Sequence, residues 1–564
     1  GAAGKVSFTL EAGVFSPAVM NFIPDDSLIA LTINGQVVSL SGIPKEKLRD
    51  YVNGFHLDVS DYLQDGSNHC EALVGNAGGN IGFSVRESRH DPVRMRAIAV
   101  LACGVILVLV RIGRCRRWPV AAIVVVCLAA LLRIWTFNVT HYDVRPHDLG
   151  GHLDYFNHII NEKSLPKHNE GWQGYQPPAY YLSAVLWAAP FSAMTDNDVA
   201  VRNTAYQMFS LLLSIVFVGL VAEILLKVPR LPRGLPGATI WSQGRARFRP
   251  QLPVPFFLKE WFAPVMGIML ACFWPGIILH CVRIGNDALL YPLLAASLML
   301  ALRWHSGQQR QDLTLAVLFA GLGLLTKASA IVLFAVIGIM LLVAVIRSGL
   351  KEKWREIAIF GFGSLVAATL VFGPSIMRNL QGQRENIFVG NVDGLDPKDK
   401  VSNRAQNYLF FDVRDFITTP FASVTKDPGG RQYFFNYYLK TSLFGEFGYS
   451  RPVLGDLAIV LSLLLLLLLA FAVGGALTGG PAFPGMLIIF AGLTLLTVIM
   501  NRISSAFPYS TDFRYTVLIV IPLAVCAVRM LDRSSRLGKG LVFWGGTGVM
   551  GAFCLFSAWF ILAL

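Results

Sequence analysis

HYDVRPHDLGGHLDYFNHIINEKSLPKHNEGWQGYQPPAYY (141–181) is a polar, acid- and histidine-rich segment set between long apolar runs. Asp143, His147, Asp148, His152 and Asp154 crowd together there, although a loop flanked by lipid-soluble helices has no structural need of them. Ionisable groups at a membrane boundary are costly and mark function, and a general base at the membrane surface is the chemistry that suits this cluster. The apolar run that follows it, 177–194, decides the topology of everything downstream.

The wider chain supports a membrane reading. It has 564 residues, 54% of them hydrophobic, and a mean hydropathy of +0.54. That composition belongs to a polytopic membrane protein rather than a soluble enzyme with a large core. The net charge of +13 sits mostly in short loops between apolar runs, as in GRCRRW (113–118), RLPRG with RARFR (230–249), RSGLKEKWR (347–355) and RSSRLGK (533–539). Such placement follows the positive-inside bias and argues against a nucleic-acid partner. The eight cysteines are scattered, mostly within apolar runs and without a CxxC pair, so they read as small buried apolar residues. Only Cys70 falls in the head, where no disulfide is expected. The chain starts at Gly1 without a signal-like segment, which points to a processed or cut-back N-terminus.

Residues 1–94 read as a separate, extracytoplasmic β-sandwich, jelly-roll-like in its strand spacing. LIALTINGQVVSL (28–40) is a pair of β-rich runs joined by Asn34-Gly35, a strong hairpin signal. KVSFTL (5–10), GFHLDVSDYL (54–63), HCEALVGN (69–76) and NIGFSVRES (80–88) add strands bounded by Gly, Asn and Asp. The pattern resembles the sandwich modules attached to many carbohydrate-active enzymes, and a spacer role fits it equally well.

Residues 95–564 form the membrane domain, with outer loops at 138–203 and 375–454. Runs long enough to span a bilayer lie near 96–112, 118–137, 204–226, 261–280, 285–303, 312–326, 328–346, 356–374, 455–477, 483–500, 514–531 and 541–563. All the basic loops fall on the cytoplasmic face provided that 177–194 does not cross. Its leading prolines, its aromatics and the acidic tail TDND (195–198) suit a helix that lies at the interface or dips back. The expected architecture is therefore about twelve crossings and a re-entrant helix. The sandwich, the 138–203 loop, the 281–287 junction, Lys327, the 375–454 loop and the 501–513 turn then share the outer side.

Candidate site residues converge on that side. Asp148 and His152 stand four apart and Tyr155 three further on, so a helix starting near 148 shows all three on adjacent turns. Asp148 is the candidate base or a helix N-cap, two compatible roles, and Asp143 is the runner-up base. His152 orients the base or meets a phosphate, whereas His147 and Asp154 read as surface residues. In RIGNDALLY (283–291), Asp287 either pairs with Arg283 or faces the same cavity as Asp148. Lys327, in LLTKAS, either snorkels or holds a phosphate as a point charge. Arg378 and Arg514 end up just outside spans, where a guanidinium fork matches a phosphate; Asp512 could instead neutralise Arg514. Tyr437, Tyr438, Lys440 and Glu446 either line a sugar pocket or belong to an interfacial belt. HDLGGH (147–152) has looser spacing than zinc sites usually show, so neither a metal nor another cofactor is expected.

The order of these motifs carries a resemblance. D-xxx-H-xx-Y, LP and W-xx-YQPPAYY, then Arg202, ND, LLTK, RN and RY (Arg514-Tyr515), is similar to the GT-C superfamily of membrane glycosyltransferases over roughly 120–530. That superfamily includes the aminoarabinose transferases of lipid A and the protein O-mannosyltransferases. The resemblance implies a polyprenyl-phosphate-linked sugar donor, transfer outside the cytoplasm, and inversion at the anomeric carbon. It also implies a catalytic aspartate in the first outer loop, matched by Asp148, or by Asp143 if the register shifts. Many relatives have Asp-Glu where this chain has His147-Asp148, and no WWDYG-type motif is present. The expected protein is thus a bacterial inner-membrane enzyme whose acceptor is a glycan, a lipid or a protein. A secondary transporter or flippase for a lipid-linked or anionic substrate is the rival reading, and a sugar-binding receptor or scaffold is a third.

Overall fold

The structure is a computed structural model. It describes residues 2–564 except 13–18, 42, 44, 52–53, 65, 77–81, 88–91, 146, 168–169, 196–197, 228–260, 281, 381–395, 425–426, 428, 450 and 478–482. The basic stretch 230–249 lies outside the described residues. The chain divides into two compact units, Gly1–Leu107 and Val108–Leu564.

The first unit is built on two antiparallel sheets. Strands β1 (Ala2–Ala12), β2 (Val19–Pro24), β3 (Ser27–Ile33), β4 (Gln36–Val37), β5 (Phe55–Asp58), β6 (Gly66–Asn76) and β7 (Phe83–Glu87) form a four-stranded sheet, order β1-β6-β3-β4, and a three-stranded sheet, order β5-β2-β7. Asn34 and Gly35 turn β3 into β4 with positive φ of 50° and 77°, the conformation that made Asn-Gly a hairpin signal. Phe22 and Phe55 from one sheet and Leu31, Ile33, Ala72 and Val74 from the other share one apolar core. That shared core makes the unit a sandwich. Cys70 is buried in it and free of any disulfide. The strand missed in the sequence is β2, VMNFIP, which has no clean alternation to announce it.

The second unit is helical. α1 (Pro92–Cys115) straddles the unit boundary and is followed by α2 (Val120–Val139), α3 (Leu149–Glu162), α4 (Ala179–Met194) and α5 (Val199–Lys227). Next come α6 (Phe262–Cys272), α7 (Pro275–His280), α8 (Asp287–Gly307), α9 (Arg310–Leu324), α10 (Ile331–Ser348) and α11 (Leu350–Leu380). The short α12 (Ala405–Leu409) and α13 (Val413–Thr418) precede α14 (Phe434–Phe444), α15 (Pro452–Leu477), α16 (Phe483–Ser504), α17 (Val520–Arg536) and α18 (Gly540–Leu562).

Among the described residues, 10 helices are long and apolar enough to cross a membrane. Every expected span falls on a helix. The two outside that set of 10 are 261–280, realised as the shorter α6 and α7, and 312–326, realised as the 15-residue α9. The chain is a polytopic helical membrane protein.

The 177–194 question is settled by hydrogen bonds at the start of α5. Gln207 Nε2 donates to the carbonyl of Thr140, at the end of α2, over 2.8 Å, and Arg202 reaches Asn157 of α3 over 3.4 Å. α5 therefore begins at the end of the bundle where α2 finishes, so α4 turns back without crossing. The N–H of Ala179, which opens α4, is bound at that same end by the carbonyl of Leu325. With α4 folded back, the ends of α2, α7, α9 and α16 and the starts of α8 and α17 meet at one end of the bundle.

Close backbone approach marks two of the helix contacts in this unit. A Cβ on Gly276 of α7 would lie 2.2 Å from the carbonyl oxygen of Ser442 in α14, and one on Gly475 of α15 would lie 1.9 Å from that of Cys526 in α17. Helices in lipid pack through such small residues, because apolar burial alone does not separate helix–helix from helix–lipid contact.

Candidate active site

A cavity of about 920 Å³ opens at the end of the bundle where these helix ends meet. Its wall includes Asp148, His152, Tyr155, Asp287, Lys327, Glu446, Arg514 and Tyr515, brought together from the loop after α2, α3, the start of α8, the turn before α10, the segment after α14 and the turn before α17. Asp143 is not among the lining residues; its carboxylate lies 2.7 Å from His141 Nδ1. Arg378 falls in the last turns of α11, and its side chain lies outside the described residues. Asp154 is exposed on α3 and stays a surface residue.

Asp148 occupies the N-cap position of α3 but caps nothing with its side chain, and its φ is 54°. A non-glycine residue in the left-handed region is uncommon, and backbone strain of that kind gathers at functional sites. The carboxylate is exposed to the cavity and its Oδ1 accepts a hydrogen bond from Trp172 Nε1 over 2.9 Å. One N–H orients the acid without adding charge.

His152, one turn on, is buried behind it, with Nδ1 2.9 Å from the Tyr181 hydroxyl. Burial pushes its pKa down to about 4, against the pull of the Asp148 and Asp287 carboxylates and with Lys327 and Arg514 adding to the shift. It meets the cavity as a neutral imidazole rather than as a cation. Tyr155 stacks on Tyr181 with ring centroids 3.6 Å apart and supports this wall.

The cations are arranged in pairs. Lys327 Nζ lies 2.6 Å from Asp287 Oδ1 and 4.8 Å above the Tyr515 ring. The expected alternative partner of Asp287, Arg283, instead bonds His280 Nδ1 over 2.8 Å and covers the Phe447 ring at 4.9 Å. Spacing suggested the Arg283–Asp287 pair, but α8 starts at Asp287 and its first turn faces α9's end, where Lys327 emerges. Arg514 Nε lies 3.2 Å from Asp512 Oδ2, and its NH2 group donates to the Tyr515 hydroxyl over 3.2 Å. Lys327 and Arg514 are thus each set against a carboxylate and still line the cavity.

Glu446 lines the cavity beside His147. Its Oε1 accepts from the Tyr437 hydroxyl over 2.6 Å, while Oε2 lies 3.6 Å from His147 Nδ1. Burial and the neighbouring Asp512 carboxylate raise its pKa to about 7, with Arg514 opposing. His147, expected at the surface, is instead wedged between Glu446 and Asp512, its Nε2 3.6 Å from Asp512 Oδ2. Burial and the charges of Arg283 and Arg514 hold its pKa well below the usual range. No local signal marked His147, because both its partners come from the far end of the chain. Lys440 and Tyr438, possible sugar contacts in the sequence, are buried structural groups. Lys440 Nζ bridges Asp415 at 2.8 Å and Asp427 at 2.7 Å, and Tyr438 bonds Thr516 over 2.6 Å.

One segment of the chain, covering α6 to α10 and most of α11, supplies both Asp287 and Lys327. Residues 256–376 match the dolichyl-phosphate-mannose-protein mannosyltransferase family. The match covers well under half of the chain and bears out the GT-C resemblance read from the motif order. No curated protein matches the chain in sequence. Among solved structures, ArnT from Cupriavidus metallidurans bound to undecaprenyl phosphate is similar at 14% identity, over 78% of this chain and 75% of that one, with a TM-score of 0.33. The apo form of ArnT gives 12% identity, 74% and 79% coverage and a TM-score of 0.32.

Proposed function

We propose that the protein is an inverting glycosyltransferase, moving a sugar from a polyprenyl-phosphate donor to an acceptor hydroxyl at the extracytoplasmic face of a bacterial inner membrane. The observation that carries this reading is the cavity itself. An exposed carboxylate, Asp148, oriented by the Trp172 N–H, shares one chamber with Lys327 and Arg514. The family match over 256–376 supports a sugar carried on a lipid phosphate.

Asp148 takes the proton of the acceptor hydroxyl, whose oxygen attacks the anomeric carbon. The bond from that carbon to the phosphate oxygen breaks, and its electron pair stays with the phosphate. Lys327 and Arg514 hold the phosphate and stabilise the charge it gains. One displacement inverts the anomeric carbon and needs no protein nucleophile. Neutral His152 sets no countercharge beside Asp148 on its own helix.

The outer side follows from charge. The loops at the other end of the bundle, GRCRRW, RSGLKEKWR and RSSRLGK, are the basic ones. Purified protein in detergent, given an undecaprenyl-phosphate-linked sugar and a mixed pool of hydroxyl acceptors, should release undecaprenyl phosphate. A transporter, which needs two compartments, would leave the donor intact.

A further inference from the structure

We propose that His147, Glu446 and Asp512 form a divalent-cation site in the cavity wall, suited to Zn²⁺ or Mn²⁺. The three residues come from the loop before α3, the segment after α14 and the turn before α17. One ligand atom from each lies within 4.8 Å of the other two. Around a single ion with ligands at about 2.0–2.2 Å, donor atoms lie at most ~4.4 Å apart. A small side-chain rotation therefore closes the set.

Second-sphere contacts already aim the ligands. Glu446 Oε1 is occupied by the Tyr437 hydroxyl, and Asp512 Oδ1 accepts the Arg514 backbone N–H over 3.0 Å. Each carboxylate is thereby left with one oxygen toward the His147 ring, Glu446 at Nδ1 and Asp512 at Nε2, and the ion takes the one ring nitrogen that the rotation presents. Asp512 is fully buried, yet its Oδ2 makes no hydrogen bond, and neither does the His147 Nε2 that faces it. Arg514 Nε lies 3.2 Å from the same oxygen but off the direction of a hydrogen bond. A buried carboxylate oxygen without a hydrogen bond is costly, and a cation held by that oxygen, the free Glu446 oxygen and one ring nitrogen relieves the cost.

A protonated histidine bridging two acids is the competing arrangement. The metal titration separates the two, because only the cation site binds a stoichiometric ion. The ligand types also fit. One imidazole with two carboxylates suits Zn²⁺ or Mn²⁺ better than a soft ion. His147 and Glu446 both line the cavity, so open coordination positions face it.

The site stands or falls apart from the transferase reading, because the test reads metal rather than turnover. Tag-free, full-length protein in detergent is stripped with chelator and titrated separately with Zn²⁺ and Mn²⁺, counting bound ions by mass spectrometry. Substitution with Co²⁺ then reports the ligand field by visible absorption. The expected result is one tightly held ion per chain. Glu446→Gln and Asp512→Asn should each abolish stoichiometric binding. Tyr437→Phe, which only frees Glu446 Oε1, should weaken it by about tenfold. Wild-type protein that binds no stoichiometric ion overturns the site. So does Glu446→Gln protein that keeps wild-type affinity and an unchanged Co²⁺ spectrum. Should Asp512→Asn fail to fold, the Glu446→Gln and Tyr437→Phe pair decides.

Discussion

Trp172 Nε1 donates to Asp148 Oδ1 over 2.9 Å, tying the carboxylate at the head of α3 to the loop that leads into α4. The bond is directional and carries no countercharge, so it fixes the orientation of the acid. Replacing Trp172 by Phe removes a hydrogen bond to a charged group, worth about 1.5–3 kcal/mol. Turnover should fall by about one to two orders of magnitude while KM for the donor stays near wild type. Steady-state kinetics check this, and a pure KM effect would mean that Trp172 binds substrate instead of positioning the base.

Lys327 and Asp287 are mostly buried 2.6 Å apart, so removing one partner strands the other. Lys327→Met should destabilise the protein by about 3–5 kcal/mol, and Lys327→Met with Asp287→Asn should recover most of that loss. Thermal unfolding in detergent measures both. Donor binding should remain weak in the double variant, because the cation that meets the phosphate is absent from both. Equal stability of single and double variants would show that the pair contributes nothing to the fold.

His152 gives stability a pH dependence of known sign. Its folded pKa, about 4, lies below the ordinary 6.5, so between those values the unfolded chain binds more protons. Stability should be full above pH 6.5 and fall as pH drops toward 4, despite the Asp148 and Asp287 carboxylates and in concert with Lys327 and Arg514. His152→Gln should flatten that limb of a melting-temperature profile. An unchanged acid limb in the variant would assign the loss to other groups.

Gly475→Ala places a methyl group against the Cys526 carbonyl, where a Cβ has only 1.9 Å. Two backbones cannot yield as a flexible side chain does, so α15 and α17 must separate at a cost of about 1–3 kcal/mol or more. A lower melting temperature, with Gly474→Ala as the mild control, tests this. Beside Gly474 the nearest groups are the Met530 sulfur and methyl at about 3.5 Å.

Much of this architecture was legible from residues alone, because its signals are local. Asn34-Gly35 encodes a turn through backbone freedom, and apolar runs encode spans by length. The charge argument that kept 177–194 from crossing used a global constraint on loops, and the Gln207–Thr140 bond agrees with it. What stayed hidden was pairing through space. Lys327 selects Asp287 although Arg283 is nearer in sequence, and His147 meets Glu446 and Asp512 from remote segments. Lys440 offered the same signal as a sugar contact and proves to be a buried bridge between two acids. A single sequence does not encode which charges face one another across a bundle.

The most direct test of the transferase is Asp148→Asn, which keeps the shape and the Trp172 contact but removes the basic oxygen. Wild-type and variant protein in detergent, each given a polyprenyl-phosphate-linked sugar, are compared for sugar transfer and for donor binding. The expected result is unchanged donor affinity with transfer reduced by at least about a hundredfold. Transfer at the wild-type rate in Asp148→Asn would contradict the account.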